Sequence, residues 1–200
     1  MSRFLVVIVL LASFLAGVSS ASAQDKSTPS ASPDIGIILL TAEQVPPLEM
    51  IMDGERSLDD IVANFTDSET TTIQFEEWGW KTNVVRAFHA PDDADLDGSE
   101  IDGIYISVHE LGSPSSAIDA LDYTFATHIR GTELDEVEVN DLGQYARELY
   151  GHLDYGNEVT YYVQVGNLMI RFSASSPEGD PRTEARELLE TMLATVPSEH

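Results

Sequence analysis

The segment EVTYYVQVGNLMIRFSAS, residues 158–175, decides the fold. Two alternating runs, 158–165 and 168–175, flank the dipeptide Gly166-Asn167, and a two-residue loop led by glycine is typical of a tight β-hairpin. The turn predicts four facing pairs that are all apolar: Val165 with Leu168, Val163 with Ile170, Tyr161 with Phe172, and Val159 with Ala174. The opposite face is polar and sets Arg171 across from Tyr162, which predicts an Arg-on-Tyr contact. One side of the sheet is therefore expected to pack against helices, and the other side is expected to be partly exposed to solvent.

Outward from the hairpin, hydrophobic periodicity and capping residues place the other elements. Strands are predicted over residues 80–89, 103–111, 134–139 and 144–150, and helices over residues 57–65, 68–78, 113–131 and 180–196. Ser113 before Pro114 and Asp180 before Pro181 are typical helix starts. Strands outnumber helices, and two hairpins follow each other. The expected fold class is therefore α+β, an antiparallel β-sheet with helices packed mainly on one face.

The first residues predict export from the cytoplasm. Arg3 precedes an apolar run from Phe4 to Ala12, and the small residues Ala21-Ser22-Ala23 form an A-x-A cleavage pattern. The run is shorter than the ~20 apolar residues that span a bilayer, so cleavage after Ala23 is favoured over retention as a membrane anchor. Residues 1–23 are thus interpreted as a signal peptide, 24–34 as a flexible Ser/Thr/Pro linker, and 35–200 as a single α+β domain.

Composition narrows the class of partner. The chain has a formal net charge of −25 and no cysteine. Such an acidic chain repels phosphate backbones and anionic lipid surfaces, so we expect no nucleic acid and no membrane contact after signal cleavage. Without cysteine, thiol catalysis, thiolate metal sites, disulfides and a lipid-anchored cysteine are excluded. The expected partner is an exported or cell-surface molecule of unknown identity.

The element order resembles known exported domains. A strand beginning at Trp80 is followed by an acidic loop, the strand Ile104-Tyr105-Ile106-Ser107-Val108-His109, a Ser-Pro-capped helix, further strands and a closing helix. This order is similar to that of uncharacterised exported bacterial proteins and loosely resembles Mog1/PsbP-like α-β-α sandwich domains. The resemblance implies a non-catalytic binding or assembly factor, and it transfers no site residues.

The acidic loop at residues 92–100 suggests a calcium site. Asp93, Asp95, Asp97 and Gly98 match the first half of a D-x-D-x-D-G calcium loop, in which alternate carboxylates supply the oxygens that Ca²⁺ prefers. Ile104 stands where the loop would need its bidentate glutamate, so an EF-hand is not expected. The alternatives are a weaker calcium site at Asp93, Asp95 and Asp97, with Glu100 or Asp102, and a solvated loop that protects a sheet edge. We expect no other cofactor.

Catalytic signatures are missing from the sequence: it has no G-x-S-x-G, S-x-x-K or H-E-x-x-H motif and no glycine-rich phosphate loop. Two hypotheses remain for the histidines. In the first, His89 and His109 lie on neighbouring strands and form a metal site. In the second, His109 and a nearby acid belong to a hydrolase site assembled from scattered residues. Tyrosine and tryptophan are favoured at binding interfaces because they are apolar and carry one polar group. The aromatic candidates for a binding face are Trp78, Trp80, Tyr105, Tyr145, Tyr150, Tyr155 and Tyr162.

These observations favour an exported non-enzymatic binding or accessory domain of unknown ligand. The alternatives are the hydrolase and the weak calcium-binding exported domain. No residue is expected to be catalytic.

Overall fold

The fold is built on one antiparallel sheet. The computed structural model describes residues 35–91, 94, 96 and 101–196. Its seven strands are β1 (Glu49–Glu55), β2 (Thr82–His89), β3 (Gly103–Glu110), β4 (Asp135–Val137), β5 (Tyr145–Leu153), β6 (Gly156–Val165) and β7 (Leu168–Ser176). They lie in the order β1-β2-β3-β7-β6-β5-β4, and every neighbouring pair is antiparallel. The last strand in the chain is therefore the middle strand of the sheet.

Four α-helices accompany the sheet, preceded by two short 3-10 turns at Ile35–Ile38 and Ala42–Gln44. The helices are α1 (Leu58–Val62), α2 (Ser68–Glu77), α3 (Pro114–Gly131) and α4 (Arg182–Leu193). Ser113 caps α3 as predicted, because its side chain accepts a hydrogen bond from the Ser116 amide. Asp180 also accepts from a backbone amide, that of Arg182 at 3.1 Å, although the helix begins one residue later than expected.

The hairpin register predicted from the sequence is confirmed. Val165 pairs with Leu168, Val163 with Ile170, Tyr161 with Phe172, and Val159 with Ala174. Gly166 adopts a positive φ of 57°, which glycine reaches without steric cost. The turn and the alternation thus fix which residues share a face.

The α+β class with an antiparallel sheet is confirmed, and the structure adds that the helices are divided between the two faces. On the first, called here the closed face, the apolar residues of β6 and β7 pack with Ala185, Leu189 and Met192 of α4 and with residues 35–48. On the second, the open face, Tyr162 and Met169 pack beneath α3 through Ala117, Leu121 and Phe125. Each face therefore has its own apolar cluster.

Strand β1 was not predicted from the sequence. Six of its seven residues are exposed, and its pairing with β2 is interrupted by a bulge between Met50 and Met52. An edge strand with one half-buried residue shows no period-two pattern, because neither of its sides is buried. The other differences are at element ends. The helices α1 and α4 stop early, at Val62 and Leu193. The strand expected over 134–139 spans only Asp135–Val137, and the strand expected over 144–150 continues to Leu153.

Candidate binding cavity

A cavity occupies the half of the open face that α2 and α3 leave uncovered. Its volume is about 220 Å³. It lies over the ends of the strands where β2 and β7 finish and β3 and β6 begin. The side chains that line it include the polar His89, Asp102, Tyr105, His128, Thr132, Tyr155, Glu158, Arg171, Ser173 and Ser175 and the apolar Ile51, Met52, Ala87 and Leu153.

The strand order distributes these residues across the cavity. Ile51 and Met52 come from β1 and Leu153 from β5, so apolar side chains stand on both sides of the sheet's middle strand. Arg171 and Ser173 come from that middle strand, β7. His128 and Thr132 come from the C-terminal end of α3 and border the cavity where the helix stops. A polar centre between apolar flanks is the common pattern of small-molecule sites.

Arg171 is the central cation of the cavity. Its Nε atom donates a hydrogen bond to Ser173 Oγ at 3.3 Å, and its guanidinium carbon lies 5.4 Å from the Tyr105 ring centre and 6.0 Å from that of Tyr162. The Arg-on-Tyr contact predicted from the hairpin is thus present. The two rings flank the guanidinium at distances at which their faces attract a cation.

Arg171 differs from the paired cations of this chain. Carboxylates form ion pairs with Lys81, Arg86, Arg147, Arg182 and Arg186. Arg171 makes no ion pair and no Nη1 or Nη2 hydrogen bond to any residue within the described ranges. Burial acts to lower its pKa, but Tyr162, Tyr105 and Glu158 act in the opposite direction and hold that pKa above its ordinary value. The guanidinium is therefore charged and borders open space.

Two carboxylates that line the cavity, Glu158 and Asp102, already accept hydrogen bonds from hydroxyl groups. Glu158 accepts from the Tyr155 hydroxyl and, at 3.0 Å, from Thr160 Oγ1. Asp102 accepts from Ser175 Oγ at 2.8 Å. Burial and the negative charge of Glu158 raise the pKa of Tyr155, so this tyrosine remains a hydroxyl donor. The described wall of the cavity thus contains one cation, Arg171, and two carboxylates that already accept hydrogen bonds from hydroxyl groups.

The position of Tyr155 at the edge of the cavity depends on a glycine in the β5–β6 turn. Gly156 has φ of 134°, and a Cβ atom at this position would collide with the Ser176 carbonyl oxygen. Only glycine fits this close backbone approach. The turn that carries Tyr155 is therefore held directly against the end of β7.

His128 contributes a neutral ring. Its Nδ1 lies 2.9 Å from the Tyr162 hydroxyl. Burial, with a smaller contribution from the positive charge of Arg171, lowers the pKa of His128 to about 3. At neutral pH the His128 ring carries no charge, so it adds no second cation to the cavity.

The hydrolase hypothesis for His109 gains no support from its surroundings. Trp80 Nε1 donates to His109 Nδ1 at 3.3 Å, so the proton of the neutral ring sits on Nε2, which faces Ser107 Oγ at 3.2 Å. Burial lowers the pKa of His109 to about 3. A ring that donates to the serine and whose only lone pair is engaged by an indole cannot accept the serine proton. This cluster lies under α2, outside the cavity, with the Phe75 ring 6.0 Å from His109.

The two-histidine metal site is wrong for a geometric reason. His89 and His109 do lie on neighbouring strands, but His89 pairs with Gly103 whereas His109 pairs with Asn83. The six-residue offset corresponds to about 20 Å along the strands, too far for one ion. Over the described part of the chain, no group of three or more His, Asp or Glu residues is placed to hold a metal.

The calcium hypothesis concerns residues outside the described part of the chain. Asp93, Asp95, Asp97 and Glu100 all lie there, so their arrangement is not part of the structure. Ile104, however, is described and is buried in the closed-face core. It is a core residue of β3, as its apolar side chain requires, and the end of the proposed loop is a strand.

The structure divides the aromatic candidates among three places. Tyr105 and Tyr155 line the cavity, and Tyr162 lies next to it beneath Arg171. Trp78, Trp80 and Tyr145 pack in the open-face cluster, and Tyr150 packs on the closed face beneath Arg182 at 4.3 Å. Sequence reasoning did not identify Arg171 as a site residue. The signal was there, because it is the one cation within the two alternating runs of the hairpin.

Comparison with known proteins gives a fold neighbour. The chain is similar to the extracellular domain of PknH from Mycobacterium tuberculosis, with a TM-score of 0.56 and 10% sequence identity, over 84% of this chain and 97% of that chain. At this identity the likeness shows the fold alone. No protein-family model and no curated protein sequence matches the chain. A Mog1/PsbP-like relationship is not shown. None of the described helices is both long and apolar enough to cross a membrane.

Proposed function

We propose that this chain is an exported, non-enzymatic binding domain that holds a small ligand in the open-face cavity. One observation carries the proposal: at the centre of a cavity whose flanks are apolar stands a charged guanidinium that forms no ion pair with any carboxylate of the described residues. Concave sites with a few convergent polar groups are the usual location of ligand binding. The volume fits a molecule slightly larger than benzene, since an apolar cavity of about 150 Å³ holds benzene.

Two observations support binding over catalysis. The buried Ser107–His109 pair has the wrong tautomer for nucleophile activation. Within the described cavity wall, Ser175 donates to Asp102, and Ser173 bonds to Thr160 and Arg171, so neither serine is hydrogen-bonded to a histidine. A hydrolase would need a base within hydrogen-bond reach of its nucleophile.

Export is supported by the sequence of residues 1–23 and agrees with a fold neighbour that is an extracellular domain. Any macromolecular partner would then also lie outside the cytoplasm. The N-terminus of the protein purified from culture fluid tests this part, and we expect it to begin at Gln24. Intact chains beginning at Met1 and confined to the cytoplasm would contradict export, whereas intact chains in the membrane fraction would favour the anchor.

Cavity binding is tested by filling the cavity. Ala87 lies on β2, pairs with Tyr105 on the open face, and lines the cavity. The Ala87→Leu variant adds three carbon atoms at this point. Ala194→Leu makes the same change at an exposed position after α4, outside the cavity, and is the matched control.

The measurement is calorimetric titration with benzoate, hexanoate, benzamide and benzylamine. We expect saturable one-to-one binding of at least one compound with a dissociation constant below about 1 mM, lost in Ala87→Leu and retained in Ala194→Leu. If no compound binds the parent protein, or if binding is the same in both variants, the cavity is not the ligand site.

A further inference from the structure

The chemistry of Arg171 specifies the ligand class, an inference that rests on the proposed function. We propose that the cavity recognises the carboxylate of a small apolar organic acid through the Nη1 and Nη2 atoms of Arg171. The Nε edge is committed to Ser173 Oγ, which leaves the Nη1–Nη2 edge with no hydrogen-bond acceptor among the described residues. A carboxylate accepts two parallel hydrogen bonds from such an edge.

The orientation of the guanidinium is fixed in advance. Ser173 holds the Nε atom, while the rings of Tyr105 and Tyr162 flank the group from the two neighbouring strands. Tyr105 is itself fixed, because its hydroxyl accepts from Arg56 Nη1 at 3.0 Å. A preorganised donor loses little side-chain freedom when the ligand arrives, so more of the interaction energy appears as affinity.

The surrounding charges favour a monoanion. Glu158 and Asp102 line the same cavity, and the C-terminal end of α3, which carries partial negative charge, borders it. His128 is neutral at physiological pH, as its low pKa requires. Among the described lining residues, one cation therefore faces two carboxylates, so a singly charged carboxylate is accommodated better than a doubly charged phosphate.

The apolar flanks specify the remainder of the ligand. Ile51 and Met52 on one side and Leu153 on the other provide surfaces for an aromatic ring or a short alkyl chain. Ile51 is 51% exposed, so covering it with a ligand removes apolar surface from water. The same molecule can thus satisfy the guanidinium and cover these side chains.

The primary experiment uses the parent protein with benzoate and benzamide, which have nearly the same shape but differ in charge. We expect benzoate to bind at least ~10-fold more tightly than benzamide, because only the carboxylate makes charge-assisted hydrogen bonds. The Arg171 Nε–H NMR signal should shift on addition of benzoate. Equal binding of the two compounds would overturn the carboxylate inference while leaving the cavity as a binding site. No binding of either, nor of hexanoate and benzylamine, would instead contradict the proposed function.

Variants separate charge from geometry. Arg171→Met should weaken benzoate binding at least ~10-fold and leave benzamide binding unchanged. Arg171→Lys keeps the charge without the two-donor edge, and we expect an intermediate loss of about 3- to 10-fold. Arg130→Met removes one exposed cation from α3 and is the matched control for net charge, with benzoate binding unchanged. A loss of benzoate affinity in Arg130→Met as large as in Arg171→Met would contradict the inference.

Phenyl phosphate distinguishes the two kinds of anion. We expect it to bind more weakly than benzoate, because its second charge meets Glu158 and Asp102. Tighter binding of phenyl phosphate than of benzoate would overturn the carboxylate assignment. Since this comparison and the benzamide comparison use the parent protein, they remain valid even if a variant fails to fold.

Discussion

The two faces of strand β7 show how one strand serves two purposes. On the closed face, Ile170, Phe172 and Ala174 are at most 1% exposed and pack in the same cluster as α4. On the open face, Met169 is buried beneath α3, but Arg171 and Ser173 line the cavity. The closed face is covered along its length, whereas the helices over the open face stop partway.

The difference follows from where α3 ends. The helix runs from Pro114 to Gly131 and covers Met169 and Tyr162, and its last residues border the cavity instead of covering it. Beyond that point the open-face side chains of β7 are polar, namely Arg171, Ser173 and Ser175. The closed face therefore stabilises the fold, and the uncovered half of the open face is available for a ligand.

The largest expected effect is on the closed face. Phe172→Ala should lower the free energy of unfolding by about 3–5 kcal/mol, because it leaves a cavity in a fully buried site. Arg171→Met, one residue away on the open face, should change it by less than about 1 kcal/mol, since Arg171 makes no ion pair with a described residue. Urea unfolding measures both. Equal losses would show that the two faces do not differ in their contribution to stability.

The second prediction uses the buried histidine of the open face. The pKa of His109 is lowered to about 3 from an unfolded value of 6.5, so between these values the unfolded chain binds a proton that the folded chain does not. Its contribution to stability is complete above pH 6.5 and is lost as pH falls towards 3. The loss is up to about 1.4 kcal/mol per pH unit.

The His109→Gln variant isolates this contribution, because both proteins share the same carboxylates. The fall in stability between about pH 6.5 and pH 5 should be smaller in His109→Gln than in the parent by about 1–2 kcal/mol. An unchanged pH slope in His109→Gln would mean that His109 is accessible to protons in the folded state.

The third prediction concerns the turn that holds Tyr155 against the cavity. Gly156→Ala should lower the free energy of unfolding by about 1–3 kcal/mol, because φ of 134° and the Ser176 backbone both exclude a Cβ atom. Gly131→Ala is the control: nothing lies within 4 Å of its Cβ position at the end of α3. Alanine should stabilise that helix by about 0.5–1 kcal/mol. The same sign in both variants would contradict the proposed strain.

The sequence predicts those parts of the fold where local pattern and burial agree. The 158–175 hairpin has both a glycine-led turn and strict alternation, so its register and the position of Arg171 opposite Tyr162 followed directly. Strand β1 has neither signal, since its seven residues EMIMDGE are mostly exposed and are held by backbone pairing with β2. Its position is a consequence of tertiary structure.

The cavity could be predicted only in part for the same reason. Tyr105, Tyr155 and Tyr162 were candidates from their residue type, and all three lie in or next to it. The length of α3 relative to the sheet and the bulge that brings Ile51 and Met52 to the cavity depend on contacts far apart in the sequence. The separation of His89 from His109 likewise depends on the register of β2 and β3, which neither strand encodes alone.

The smallest expected effect concerns the acidic loop between β2 and β3, whose ends His89 and Asp102 line the cavity. A calcium ion bound by Asp93, Asp95 and Asp97 would raise the melting temperature by mass action. Because Ile104 is a core residue where the completing glutamate would be needed, we expect calcium to stabilise no more than sodium chloride of equal ionic strength. Thermal unfolding of the parent and of the Asp95→Asn/Asp97→Asn double variant measures this. A calcium-specific rise that the double variant abolishes would establish the weak calcium site.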